Sequence, residues 1–314
     1  MTNLSTRTST SEKYQAKLIT CLLWLAIFPC MVCADEGKKI LMINSNASVE
    51  KYRMVGKAFG KAVPYPVSDV SLDKGSWEEQ SVRSLPEPDL VYCIGTKAYA
   101  VASKYMKEKN IVFSSILNWL RLPMTPKTHG ISNELHTEMQ ITMFRYIFPD
   151  VGKIGVLYSK QFNRKWFENA RADAENMGVK LIGRAISENG QVIPALDELL
   201  SHTDAFWLIS DPMIISEKKI LFKILKNCDA AGMPVFSYHE VFANHGAILI
   251  VSADNSTIGR QAAGIATELL EGDEIEEKIQ FPAGTRIVLN MKKVKEYGMK
   301  YSKNALSAVN HIIE

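Results

Sequence analysis

Between residues 203 and 263, three short apolar runs, in TDAFWLISDPMI, PVFSYHEVF and GAILIVSADNSTIGRQAA, each stop at small polar residues before a helical pattern takes over. Apolar runs that alternate with helices read as strands buried on both faces of a parallel sheet. Open parallel sheets hold their ligand sites at the carboxyl ends of the strands. Here those ends carry Ser210, Asp211, Ser237, Tyr238, Ser252 and Asp254. They predict a polar-lipped cleft in an α/β protein and no obvious machinery for chemistry.

The same alternation runs through most of the chain. KILMIN (39–44) leads into a helix over 49–61, LVYCIG (90–95) into the helical TKAYAVASKYMKEK, and IVFSSIL (111–117) into an irregular loop with two prolines. A second series starts at IGVLYS (154–159) and continues through strands in VKLIGRAI, AFWLIS, PVFSY and AILIVSA, ending with RIVLN (286–290) and a last helix. Helices of more than about 10 residues between strands of about 4–6 imply right-handed crossovers. Two series interrupted near 128–133 imply two doubly wound parallel-sheet lobes, with the interruption as a candidate hinge.

Residues 1–34 read as an export signal and are left out of the fold. Arg7, Lys13 and Lys17 precede the apolar run 18–32, and Val32-Cys33-Ala34 offers small residues for cleavage before Asp35. That run is short for a membrane span, which needs about 20 apolar residues. An uncleaved anchor is the alternative reading. Without the leader, which holds three basic residues and one acidic one, the formal charge falls from +3 to +1. A near-neutral protein gives no electrostatic reason to bind nucleic acid. Cys93 and Cys228, the two cysteines beyond the leader, read as small buried apolar residues, and no CxxC, HExxH or Cys/His cluster supports a metal site.

The strand ends carry the candidate ligand residues, each with a structural alternative. Ser45 and Asn46 follow the first strand, where Asn and Ser are ordinary helix caps. Gly95-Thr96 makes the same switch, and adjacent strand ends add Ser115 and Asn118. Tyr158 and Ser159 end the first strand of the second series, Asp211 precedes Pro212, and Tyr238 and Asp254 end later strands. Asp211 can cap its helix or accept from a ligand amine. Trp207, inside a strand, reads as core, and Trp119, in the loop, as the cleft mouth. There is no G-x-S-x-G elbow, no Walker loop and no G-x-G-x-x-G, and the six histidines show no nucleophile–acid order. An enzyme is not expected, and no cofactor is implied.

PDLVYCIGTKAYAVA, KIGVLYS, TDAFWLISDPMIIS, PVFSYHEVFANHGAILIVSADNSTIGRQAA and RIVLNMKKVKEYGM together resemble the substrate-binding proteins of ABC transporters, with the type I periplasmic-binding-protein fold. The similarity is greatest to the branch that includes tryptophan- and tyrosine-binding members. It implies two lobes joined by three crossovers, the N-terminal one holding 37–132 plus 255–283 and the C-terminal one 133–254 plus 284–314. It also implies ligand contacts at Ser45, Asn46, Thr96, Ser115, Asn118, Tyr158, Ser159, Asp211, Tyr238 and Asp254. Many relatives have Asp-Pro where this chain has Asn118-Trp119, which exchanges a charge for an aromatic ring. The expected protein is a periplasmic monomer that captures a small molecule, such as an amino acid or an aromatic compound, and delivers it to an ABC permease. The alternative is a sensory module that reports occupancy to a membrane receptor.

Overall fold

The computed structural model describes residues 37–73, 84–85 and 87–314. The expected leader and the whole polar stretch 74–83 lie outside the described residues. In chain order the elements are β1 (Ile40–Asn44), α1 (Glu50–Ala62), β2 (Val67–Ser71), β3 (Leu90–Ile94), α2 (Thr96–Tyr105), β4 (Asn110–Ile116) and β5 (Thr128–Ser132). The chain continues with α3 (Thr137–Ile147), β6 (Lys153–Ser159), α4 (Lys160–Asn176), β7 (Lys180–Ile186), α5 (Val192–Leu200) and β8 (Ala205–Trp207). It ends with α6 (Pro212–Ser216), α7 (Lys218–Ala230), β9 (Val235–Ser237), β10 (Ala247–Ala253), α8 (Asn255–Glu271), β11 (Ile279–Gln280), β12 (Thr285–Asn290), α9 (Met291–Glu296) and β13 (His311–Ile313).

Among the described residues the strands form two sheets, ordered β11-β5-β4-β3-β1-β2 and β13-β12-β10-β9-β8-β6-β7. Each is the core of one lobe. The chain passes between them three times: after β5, after β10, and between β11 and β12. The three passages touch one another. The His136 and Phe281 rings are 3.7 Å apart, and Asp254 N–H donates to Gly284 O at 2.9 Å.

Burial explains why the apolar runs are continuous. Along β1, Ile40 and Met42 face one core with Val55 and Phe59 of α1 and Ile258 and Ala262 of α8. Leu41 and Ile43 face another, with Ala98, Tyr99 and Ala102 of α2. In the second lobe Ile154, Val156 and Trp207 pack against Phe144 of α3 and Phe167 of α4, while Leu157 and Phe206 pack against α5 and α7. A strand covered on both faces has no polar side, so only edge strands alternate. β2 (VSDVS) is such an edge and its residues are all half-buried or exposed.

The structure departs from the sequence reading in four places. Residues 128–132, read as part of the break between the series, form the buried strand β5, and the first crossover begins only after it. β12 runs antiparallel to β10, so the second sheet is mixed. The AFWLIS run stays laddered only through Trp207, because β8 and β9 are three residues each. The short helix near His239 is a 3-10 turn over Glu240–His245. Both described cysteines are free and buried, and burial pushes the Cys228 thiol up to about 12. No helix among the described residues is long and apolar enough to cross a membrane.

Candidate functional site

The cleft is built from the loops that follow strands of both lobes. At the lip of the first lobe β4 ends irregularly: its register with β5 shifts between Phe113 and Ile116, and Ser115 and Asn118 both adopt left-handed backbone, with φ of 59° and 55°. They are the only such non-glycine residues among those described. Left-handed backbone is strained for an L-residue outside glycine and persists only where its surroundings over-determine it. Here the surroundings are visible. Asn118 N–H donates to Glu134 Oε1 at 2.6 Å, and its Nδ2 donates to Ser210 O of the second lobe at 3.2 Å. The lobes meet again where the Arg121 guanidinium lies 4.3 Å over the Phe162 ring.

Three pockets follow the junction. A central one of about 70 Å³ is lined by Asn118, Glu134, Gln140, Asn163, Trp166 and Tyr238, with Trp207 behind. It shares Asn118, Glu134, Asn163 and Trp166 with a pocket of about 400 Å³ whose walls are aromatic: Trp119, Phe162, Trp166 and Phe281. It shares Asn133, Tyr238 and Ser252 with a groove of about 500 Å³ on the other flank, lined by Lys51, His239, Asp254 and Arg286. The two larger volumes fall in the range of small-molecule sites, about 300–1,000 Å³.

Sequence reasoning missed Glu134, Asn163 and Trp166. Glu134 sits in the first crossover. Its Oε2 accepts from Ser132 Oγ at 2.6 Å while Oε1 accepts from Asn118 N–H. A carboxylate offers about four acceptor sites, so two remain unengaged among the described residues. It places a carboxylate beside Asn118, where the sequence at position 118 has an amide. The signal was the polar run Ser132-Asn133-Glu134 at the break between the two series. Asn163 and Trp166 are on the first two turns of α4, a stretch that reads only as a helix. Trp166 meets Trp207 edge-on, with centroids 5.4 Å apart, and Trp207 in turn meets Phe144.

Of the ten residues expected to contact ligand, Asn118, Tyr238 and Asp254 line these pockets, and so do the strand-end Ser210 and Ser252 and the loop residue Trp119, while Trp207 is buried as core and backs the central pocket. Burial raises the Tyr238 phenol to about 12, and its hydroxyl has no hydrogen-bond partner among the described residues. Asp254 Oδ1 accepts from Thr257 N–H and Oγ, both at 2.7 Å, which caps α8. Ser45, Asn46, Thr96, Ser115, Tyr158, Ser159 and Asp211 line none of the three. Ser45 Oγ accepts from Ala98 N–H at 2.9 Å, Asn46 Oδ1 accepts from Ser48, and Thr96 is exposed at the start of α2. The Ser115 hydroxyl is buried without a partner among the described residues, and Tyr158 stacks on Phe167 at 4.4 Å.

Asp211 is wholly buried and its carboxylate is fully engaged inside the second lobe. Oδ2 accepts from Ser159 N–H and Oγ at 2.7 Å each and from Asn163 Nδ2 at 2.6 Å. Oδ1 accepts from Met213 N–H at 2.9 Å and caps α6. Asp211 thus ties the end of β6 to the end of β8 and orients Asn163, which does reach the cleft. Among the described residues no group of three or more His, Cys, Asp or Glu could hold a metal ion.

Two α/β lobes, three crossovers and a cleft with aromatic and polar walls define a two-lobed protein of the type I periplasmic-binding-protein fold. Residues 80–312 match the family model for the ABC transporter substrate binding protein, and the chain belongs to that family. A tyrosine-binding protein from Clostridioides difficile (strain R20291) is 24% identical over 241 residues, which is 70% of this chain and 69% of that protein. Two solved structures share the fold at 18% identity, each covering 88% of this chain and 99% of its own. One is an ABC domain from Streptococcus pneumonia in complex with L-Trp (TM-score 0.61). The other is a ligand-free, open substrate-binding protein with adhesive properties from Clostridium difficile (TM-score 0.65).

Proposed function

We propose that this protein is an extracytoplasmic solute-binding protein, periplasmic where there is an outer membrane, that captures an aromatic, amine-bearing small molecule between its lobes and delivers it to an ABC importer. The observation that carries this reading is the side-by-side placement of Trp119, Phe162, Trp166 and Phe281 with the half-free Glu134 carboxylate in one pocket. Aromatic walls take a flat ring, and a carboxylate in a partly dry pocket takes an ammonium. The tyrosine-binding relative and the L-Trp complex of a fold neighbour are in keeping with such a ligand. Lobe closure follows from differential affinity, since a ligand touching both walls favours the state in which both are near. Of the strand-end residues, Asn118 and Tyr238 are the ones proposed to touch it, with Asn163 and Trp166.

The test is a thermal-shift and calorimetry panel of L-tryptophan, L-tyrosine, L-phenylalanine, tryptamine, aliphatic amino acids and sugars. At one hundred times its Kd a ligand adds about 2.7 kcal/mol to stability, a rise of several degrees in Tm. Trp166→Ala removes a ring wall of about 2 kcal/mol, which is a loss of at least tenfold in affinity. A panel in which no aromatic solute raises Tm, while a sugar or aliphatic ligand does, overturns the reading.

A further inference from the structure

The groove on the flank opposite the aromatic pocket has an unbalanced set of polar groups. Lys51 enters it from α1 of the first lobe, while Tyr238, His239, Glu240 and Arg286 enter from the second. The two glutamates there are ion-paired, and Asp254 takes its hydrogen bonds at Oδ1 from neutral groups. Glu240 pairs with Arg286, Asp254 accepts from Thr257, and Glu50 pairs with Arg53 at 3.2 Å. The Lys51 ammonium has no carboxylate partner among the described residues and lies 5.0 Å from the Tyr52 ring centroid.

His239 Nδ1 accepts from Val241 N–H at 3.2 Å. A neutral imidazole that accepts at Nδ1 carries its proton at Nε2, so Nε2–H is a donor without an acceptor among the described residues. The Tyr238 hydroxyl is a third. The electrostatics agree with this arrangement. Burial, followed by the charge of Lys51, holds the His239 pKa below its ordinary value despite the opposing effect of Glu240, and burial also lowers that of Lys51. Two groups that resist protonation side by side are relieved by a negative charge between them.

We propose that this groove is a subsite for a small oxyanion, a carboxylate or a phosphate group, held between Lys51 of the first lobe and His239 of the second. The proposal rests on the solute-binding reading only in placing the groove on the ligand's path. It makes the cleft polar along its length, with aromatic rings and the Glu134 carboxylate at one end and a cationic seat at the other. An anion in that seat bridges the lobes and favours closure.

The experiment is a titration of the intact protein with inorganic phosphate and, separately, with acetate, read on the His239 ring resonances by NMR. The expected result is a saturable shift of His239 with at least one of the two ions and an upward move of its pKa. Lys51→Gln should weaken that response at least tenfold, while Lys61→Gln, at the far end of α1, leaves it unchanged. Whichever ion binds more tightly assigns the class. No saturable shift with either ion, an unchanged response in Lys51→Gln, or a matching shift at the surface His202 overturns the proposal. An oxyanion response without stabilisation by any aromatic solute would refute the proposed function and leave the subsite standing, and the converse result would refute the subsite alone.

Discussion

Replacing Asp211 by alanine separates fold from ligand contact at the cleft floor. The native carboxylate takes hydrogen bonds from Ser159 N–H, Ser159 Oγ, Asn163 Nδ2 and Met213 N–H, all at 2.9 Å or less. Alanine leaves the fully buried Ser159 N–H without an acceptor, at about 1–3 kcal/mol. Loss of the α6 cap costs about 1 kcal/mol more. The Ser159 hydroxyl can rotate and Asn163 can reach cleft water, so those two add only part of a bond each. The sum is about 3–5 kcal/mol, or on the order of 10 °C in Tm at about 2–4 °C per kcal/mol. Asn is expected to be nearly as costly, because its amide points a donor at converging donors. Differential scanning calorimetry measures the stability, and calorimetric titration of whichever aromatic solute binds measures the affinity. Because Asp211 acts on the cleft only through Asn163, affinity should fall by less than about tenfold, under 1.4 kcal/mol. A Tm within about 2 °C of wild type, or a large loss of affinity at unchanged Tm, would refute this reasoning.

Two further outcomes follow from packing and charge. A Cβ on Gly259 of α8 would lie 2.3 Å from Val55 O and 2.7 Å from Ala58 Cβ of α1, so Gly259→Ala must push the two helices apart. The expected cost is about 1–3 kcal/mol, checked by urea melts, and a neutral result would show that the helices slide freely. His129 is buried in β5 with Nδ1 unpartnered among the described residues, and burial, then the charge of Lys278, hold its pKa below 6.5. The unfolded chain then binds a proton that the folded chain resists, so stability rises with pH. It should be lost as the pH falls below about 6.5 until the folded imidazole itself titrates. His129→Gln should flatten part of the fall in Tm between about pH 7.5 and pH 5, and identical slopes would exclude this residue as a cause. His239, also held low, contributes in the same direction and leaves a residual slope.

Much of the architecture was legible because burial on both faces leaves no choice in the composition of a central strand. β1 and β3 are buried throughout, and their runs could be read from residue type alone; β5 is buried as fully, but its sequence THGIS has one large apolar residue and reads as a break. The family could be recognised for the same reason, through strand ends in a fixed order. The antiparallel β12 was not legible, because a buried strand reads the same in either direction and only its partner decides. The two-residue strand β11 carries too few residues for any period.

The cleft was legible as a place but not as a set of residues. A Ser, Asn or Asp after a strand is written alike whether it caps a helix, as Asp254 does, or faces solvent, as Thr96 does. The sequence alone determined the alternation of strand and helix, the two series and the polar composition of the strand ends. Only the tertiary structure decided which of those groups keep a free donor or acceptor, since that depends on partners distant in the chain. It turned the Asp211 carboxylate inward onto Ser159 and Asn163, brought Glu134 beside Asn118, and placed Lys51 and His239 in one groove. Hydrogen bonds between groups 16 to 52 positions apart leave no trace in local pattern; they exist only once the sheets are packed.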